Sequence, residues 1–408
     1  MLNFITGGVC AAQGFRAGGI HVGVKTHAAW KKDVALIVSD EDCACAAVYT
    51  KNAVKAAHIH VDKRHLADGK ARAAVINSGN ANACAPMGEE NAERVCAAAG
   101  KALGCRPEDV VVAATGVIGQ TLNVAVIEQG MPELCAAAAH TAAGSDAAAH
   151  AIMTTDTVKK ELAVETVIGG KTVRMGGIAK GSGMIHPNMG TMLCFVTTDC
   201  AITREMLSEA LHEVVPRTFN RVTVDGDTST NDTCCILASG AAENPLIDWK
   251  SEDYDVFYGA LKFVCTELAK KIAGDGEGAT KLVTCTVSCS RSDEAAEKLA
   301  MEVIRSSLVK AAMFGADANW GRVLCAMGYS KAPFRPECVD VSFASAAGSI
   351  AVCKAGEGLE FDEDLAKKVL SQDEVEIQVN VNEGEHAVTA WGCDLTYDYV
   401  KINGDYRT

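Results

Sequence analysis

The chain has 408 residues, 49% of them hydrophobic and 22% charged, and a net charge of −14. That is enough apolar material for one large or two medium cores, and the acidic balance argues against nucleic acid or an anionic membrane as partner. No stretch approaches the ~18 apolar residues that a membrane-spanning helix needs. The 18 cysteines are scattered without C-x-x-C spacing. Most fall inside apolar patterns, among them Cys194, Cys235, Cys265 and Cys325, and are expected to be reduced, buried thiols. The opening, MLNFITGGVCAAQGF, has no basic n-region and no long apolar h-region. A soluble, cytoplasmic protein is the expectation.

Residues 1–85 read as short strands joined by turns. Gly18–Val24 alternates, Asp33–Ser39 and Ala46–Thr50 are apolar runs, and Ala73–Ile76 is a further buried strand. It ends in Asn77-Ser78-Gly79-Asn80-Ala81-Asn82, turn chemistry at a place where α/β proteins put structural turns and ligand contacts alike. His58 and His60 alternate as on a strand, and with His65 they are expected at the surface. Residues 87–103 have helical spacing, with Glu89 and Glu90 in the first turn, as the helix dipole prefers. Val110–Ala114 predicts a strand ending in Thr115-Gly116. Such a turn can aim a hydroxyl and a backbone N–H at one point, as an oxyanion hole requires, but the signal alone is weak.

Ala-rich helical sequence follows over 123–150, with a stop and restart expected at Gly130-Met131-Pro132. Thr154 and Thr155 stand beside Asp156, a set that could bind substrate or cap a turn. Residues 162–168 and 171–175 predict a hairpin about Gly169-Gly170. The chain then reaches its most informative stretch, GGIAKGSGMIHPNMGTMLCFVTTD, from Gly176 to Asp199. Thr191 opens an apolar strand directly after Gly190. Threonine is a poor nucleophile without a base beside it, and one solution is a cut before the threonine that makes its own α-amine the base. That amine titrates at about 7.7–8.0 when unperturbed. A glycine at 190 lets the peptide adopt the strained backbone a cut requires. The same residues also suit a Gly-rich turn entering a core strand.

Beyond it, Thr203 predicts a helix cap. The polar stretch Asn220–Thr233 contains Asp225, Asp227 and Asp232 but lacks the spacing of a Ca²⁺ loop, and the alternative is a hydroxyl-rich wall of an active site. Asp253–Ile272 has a clear helical stripe. It ends at Gly274-Asp275-Gly276-Glu277-Gly278, where flanking glycines leave the Glu277 carboxylate poised. This is not a dinucleotide fingerprint, because the order of helix and strand is reversed. Lys281–Ser288, Val339–Ala344 and Ile350–Lys354 predict strands. Glu374–Val381 is expected to pair with Ala387–Trp391 across Asn382–Glu385. The last residues would ordinarily be a frayed tail.

Lys180-Gly-Ser-Gly-Met-Ile-x-Pro-Asn-Met-x-Thr191-Met-Leu resembles the self-cleavage and active-site segment of the ornithine acetyltransferase family, the glutamate N-acetyltransferases of arginine biosynthesis. His186 and Gly190 stand where that family usually has alanine. The resemblance runs from Gly14 to Thr408. It implies an α/β fold with a layered α/β/β/α core and N-terminal-nucleophile chemistry. A cut at Gly190-Thr191 would give an α chain (1–190) and a β chain (191–408), assembling as two of each. It implies Thr191 as nucleophile, Thr115 and Gly116 as oxyanion hole, and Thr154, Lys180, Thr191, Glu277, Asn403 and Thr408 as substrate contacts. Asn319 and Arg322 would line or brace the site. The implied reaction moves the acetyl group of N²-acetyl-L-ornithine to L-glutamate. No metal and no cofactor are implied, and acetyl-CoA stands as an open candidate for a second donor. The nearest rival is an N-terminal-nucleophile amidohydrolase or aminopeptidase, which passes the acyl group to water.

Overall fold

The computed structural model describes residues 2–26, 28, 30–186 and 192–404. Its strands run, in chain order, β1 (Asn3–Ile5), β2 (Phe15–Ile20), β3 (Val34–Tyr49), β4 (Lys70–Asn80), β5 (Val110–Val117), β6 (Lys160–Ile168), β7 (Lys171–Lys180), β8 (Leu193–Thr198), β9 (Val222–Thr223) and β10 (Thr233–Ala238). Then come β11 (Leu282–Ser290), β12 (Asp340–Ser345), β13 (Gly348–Lys354), β14 (Glu357–Gly358), β15 (Glu374–Asn380) and β16 (His386–Cys393). The helices are α1 (Ala57–His65), α2 (Gly88–Leu103), α3 (Val124–Ala137), α4 (Ala142–Ala151), α5 (Arg204–Val214), α6 (Glu252–Gly274), α7 (Asp293–Arg305), α8 (Ser307–Gly315), α9 (Trp320–Tyr329), α10 (Glu363–Leu370) and α11 (Tyr397–Gly404).

Among the described residues these strands form two sheets. The first has the order β1-β6-β7-β8-β10-β3-β4-β5, with β2 also on β3. Every residue of β8 (LCFVTT) and β10 (TCCILA) is buried. Such runs suit central strands covered on both faces, and the two pair in parallel from Leu193↔Thr233. One face packs on α4. The other packs on α5 and α6 at one end and on α1, α2 and α3 at the other. The second sheet has the order β14-β13-β12-β15-β11-β16-β9. Its apolar face packs on α7–α10, with Val283, Cys285, Val287, Ile377 and Val379 buried. The alternate residues Thr284, Thr286 and Gln378 lie on its other, more polar face. The helix α6 begins at the Ser251 cap and lies between the sheets, touching β6 and β7 on one side and β11 and β16 on the other. The fold is mixed α/β with two sheets, and the first sheet draws strands from both sides of residues 190 and 191.

Several expectations are corrected. The stretch around His58 is the helix α1, not a strand, because Ile59 and Val61 pack with His58 and Asp62 against the sheet. His58 is 1% exposed; only His60 is at the surface as expected. The two runs 33–39 and 46–50 are one long strand, β3, whose first part pairs with β2 and β4 and whose last part pairs with β10. No break occurs at Gly130–Pro132: α3 continues through Pro132. Its stripe Val124, Ile127, Met131, Leu134 is held in the core, and that burial offsets the lost backbone hydrogen bond. Strands β15 and β16 do not pair with each other. β11 inserts between them, parallel to β15 and antiparallel to β16. The intervening turn crosses the end of β11, with Val381 N–H donating to Ser288 O and Glu383 N–H to Cys289 O. Cys194, Cys235 and Cys265 are buried, but Cys325 is exposed. The hairpin about Gly169-Gly170 forms as expected, with φ of +54° and +78° at its two glycines.

Candidate active site

The site is built where strand ends of the first sheet meet the turn after α6. β4 and β5 run in parallel, with Ser78 opposite Thr115 and Gly79 opposite Gly116. At Gly116, φ is +131° and a Cβ would stand 2.4 Å from Gly79 C. Only glycine fits there. The Asn77–Asn82 cluster is consumed in holding this turn: Asn77 Nδ2 donates to Asn80 O at 2.8 Å and Asn82 Nδ2 to Gly88 O at 2.8 Å.

Lys180 ends β7 opposite Leu193, the first residue of β8. It is 3% exposed, with its Nζ 3.4 Å from Thr115 Oγ1 and 3.9 Å from Asp156 Oδ2. Glu277 sits on the turn after α6, where its N–H donates to Ser182 O at 2.9 Å. A Cβ at Gly183 would lie 2.3 Å from Glu277 Oε2, so that glycine makes room for the carboxylate. Asn403, on α11, donates from Nδ2 to the same Oε2 at 2.7 Å.

Thr115, Gly116, Thr154, Lys180, Glu277 and Asn403 all line one cavity of about 110 Å³. That is below the roughly 300–1,000 Å³ typical of pockets for drug-sized ligands, and it suits the head of a small metabolite. Wider grooves of about 700 and 850 Å³ lie elsewhere, beside β3 and α5 and between α6 and the second sheet. None of these site residues lines them. Gly190, Thr191 and Thr408 lie outside the described residues. Asn319 and Arg322 do not line the cavity. Asn319 caps α9 through Arg322 N–H, and the Arg322 guanidinium donates to Leu308 O at 2.9 Å.

Ile118, Thr155, Gly183, Met184 and the run Ser229-Thr230-Asn231 complete the wall. Residues 229–231 belong to the polar stretch before β10, whose composition was the signal. Asn231 Nδ2 donates to Ala81 O at 2.6 Å and to Ala114 O at 2.7 Å, tying that wall to the residue before Thr115. Asp232 is fully buried and accepts from Met192 N–H at 3.1 Å through Oδ1. Its Oδ2 has no hydrogen-bond partner among the described residues. Among those residues no group of three or more His, Cys, Asp or Glu is placed to hold a metal.

Burial dominates the electrostatics. It pushes the Lys180 ammonium below its ordinary range, partly opposed by Asp156 and Glu277. It would raise Asp156, but Lys180 and Lys160 outweigh it and hold that carboxyl below the usual range. It pushes Asp232 up. The arrangement offers a cation, a hydroxyl and an anion around a small space, which suits acyl transfer to or from an amino acid.

The ArgJ family model matches residues 16–408. The chain belongs to the ArgJ family. An ArgJ relative from Symbiobacterium thermophilum, an "Arginine biosynthesis bifunctional protein ArgJ", is 50% identical over 408 residues and covers 100% of both chains. The "Arginine biosynthesis bifunctional protein ArgJ 1" of Clostridium acetobutylicum is 48% identical over 395 residues, 97% of this chain and 96% of its own. A crystal structure of the ArgJ protein from Bacillus halodurans is similar with a TM-score of 0.50 and 46% identity, over 52% of this chain and 98% of that one. No helix among the described residues is long and apolar enough to cross a membrane.

Proposed function

We propose that the protein transfers the acetyl group of N²-acetyl-L-ornithine to L-glutamate, releasing ornithine and N-acetylglutamate in arginine biosynthesis. The observation that carries this reading is the convergence of Thr115, Lys180, Glu277 and Asn403 on one cavity in a chain of the ArgJ family. The chain is cut between Gly190 and Thr191. The solved Bacillus halodurans chain supports the cut, since 98% of it spans only 52% of this one. Thr191 Oγ, losing its proton to its own α-amine, attacks the acetyl carbonyl, with the Thr115 hydroxyl and Gly116 N–H stabilising the oxyanion. Ornithine leaves with the proton, and an acetyl ester remains on Thr191. The amine of glutamate then attacks that ester, and Thr191 regains its proton. Lys180 and Glu277 hold the charged ends of the amino acid, with Thr154, Asn403 and Thr408 around them.

The acetyl group passes from amide to ester to amide, so the cycle as written consumes no cofactor. Acetyl-CoA is proposed as a second donor to the same threonine. The working form is two α and two β chains in the cytoplasm. Mass spectrometry of the 191–408 fragment incubated with N²-acetylornithine alone should find one added acetyl group on Thr191. Double-reciprocal plots at several glutamate concentrations should be parallel. Intersecting lines with no acetylated fragment would mean direct transfer in a ternary complex. Acetate release without an acceptor would mean a hydrolase.

A further inference from the structure

From Lys180 in the cavity wall a chain of buried charges runs through Asp156, Lys160 and Asp275, which do not line the cavity. Asp156 is 7% exposed as a residue and its carboxylate is fully covered. Its Oδ2 accepts from Thr154 N–H at 3.0 Å and lies 3.9 Å from Lys180 Nζ. Its Oδ1 accepts from Gly181 N–H at 2.7 Å and from Lys160 Nζ at 2.6 Å. Lys160 has no exposure and donates also to Asp275 Oδ2 at 2.5 Å. Asp275 binds Thr157 through N–H and hydroxyl, and its carbonyl accepts from Ser182 Oγ at 2.7 Å. Positive and negative groups thus alternate from Lys180 through Asp156 and Lys160 to Asp275.

An ammonium has three N–H donors and no acceptor. In the Lys180–Thr115 contact the threonine oxygen therefore accepts, and its own proton is directed elsewhere, with the cavity on its open side. We propose that Asp156 is a positioning residue for acetyl transfer, fixing the Lys180 ammonium so that Lys180 turns the Thr115 hydroxyl proton towards the acetyl oxygen. This rests on the reading of Thr115 as an oxyanion donor and adds what orients it. Burial works against the charge on Lys180. The groups facing it are Asp156 and Lys160 below, Glu277 from the turn after α6 and Asp232 from the wall before β10. Lys25, on the loop after β2, adds repulsion from further off. Of these, Asp156 contributes most in favour of the charged form. An Asp156→Asn change keeps the shape but leaves Lys180 and Lys160 to repel each other. Lys180 then loses its proton at lower pH. A neutral amine has a lone pair, so it accepts the Thr115 proton and turns it away from the substrate.

The test uses the cleaved wild-type enzyme with Asp156→Asn, Asp156→Glu, Thr115→Ala and the Thr115→Ala/Asp156→Asn double variant, each followed from pH 6 to 10. Thr115→Ala should reduce kcat about 10²–10³-fold, the usual loss for one oxyanion donor. Asp156→Asn should lower kcat, and the alkaline limb of its kcat–pH profile should move to lower pH by a unit or more. Asp156→Glu should recover part of that shift, and it serves alone if the Asn variant does not fold. In the double variant the Asp156 change should add little to the loss from Thr115→Ala, because both act through one hydroxyl. Additive losses, or a wild-type kcat–pH profile in Asp156→Asn, would overturn the proposal while leaving the acetyltransferase reading intact. Failure of wild-type enzyme to acetylate Thr191 would remove both.

Discussion

A carboxyl group held away from water costs stability, and Asp232, fully buried, is such a group. Burial raises it above the usual range, only partly opposed by the Thr50 side chain, the Met192 amide and Lys180. A raised folded value means that its stability contribution is complete below the unfolded value of about 3.9. That contribution is lost as pH climbs through the folded value. Asp232→Asn keeps the acceptor for Met192 N–H and removes the ionisation. The variant should therefore melt above wild type at pH 8, by the equivalent of about 1–3 kcal/mol, and the gap should close towards pH 5. Calorimetry at both pH values decides it; an equal gap at both would mean that Asp232 is already ionised in the fold at pH 5, as it is in the unfolded chain. Asp232 was legible in the sequence only as one acid in a polar run. Thr115, Lys180 and Glu277 were legible through the resemblance of the segments that carry them, the glycines beside them being a weak signal by themselves. The partnership of Asp156, Lys160 and Asp275 was not, because residues 115 positions apart share no period and Lys160 looks like any surface lysine at a strand start.

The turns that carry the site differ in how much they tolerate. At Gly183 the obstacle to a side chain is the far end of Glu277, which can swing. Gly183→Ala should leave the melting temperature near wild type and displace the carboxylate from Asn403. KM for the amino acid bound there should rise roughly ten- to a hundredfold, as for loss of a hydrogen bond to a charged group. At Gly116 the obstacle is the backbone of Gly79, and φ is +131°. Gly116→Ala should lower the melting temperature and activity together. Thermal melts and steady-state kinetics on both variants separate the cases, and a Gly183→Ala enzyme with unchanged KM would detach Glu277 from substrate. Local periodicity predicted α2, α5 and α6 because each buries one stripe of its own sequence. It missed the partners of β15 and β16, since the inserted β11 is about ninety residues away in the chain and pairing over that distance leaves no local trace. It also placed a stop at Pro132, where the packing of α3 overrides a local breaker.

At the scale of the molecule, the proposed cut runs through the first sheet. β8, after the junction, pairs with β7 before it from Met175↔Thr198 to Lys180↔Leu193. β10 likewise pairs with β3 from Thr233↔Tyr49 to Ala238↔Ala44. The two fragments are therefore expected to travel together on gel filtration and to separate only in denaturant. Free 1–190 fragment in native buffer would contradict this. Thr191→Ala should leave one intact chain under all conditions.

This interleaving also imposes an order of events. A chain severed while still unfolded would have to find its own β7–β8 and β3–β10 partners by diffusion, so productive severing comes after the sheet is assembled. The scission then acts as a record of history. In a cell lysate, the proportion of scissile chain remaining intact would count the molecules that never reached the native state, with no added reporter.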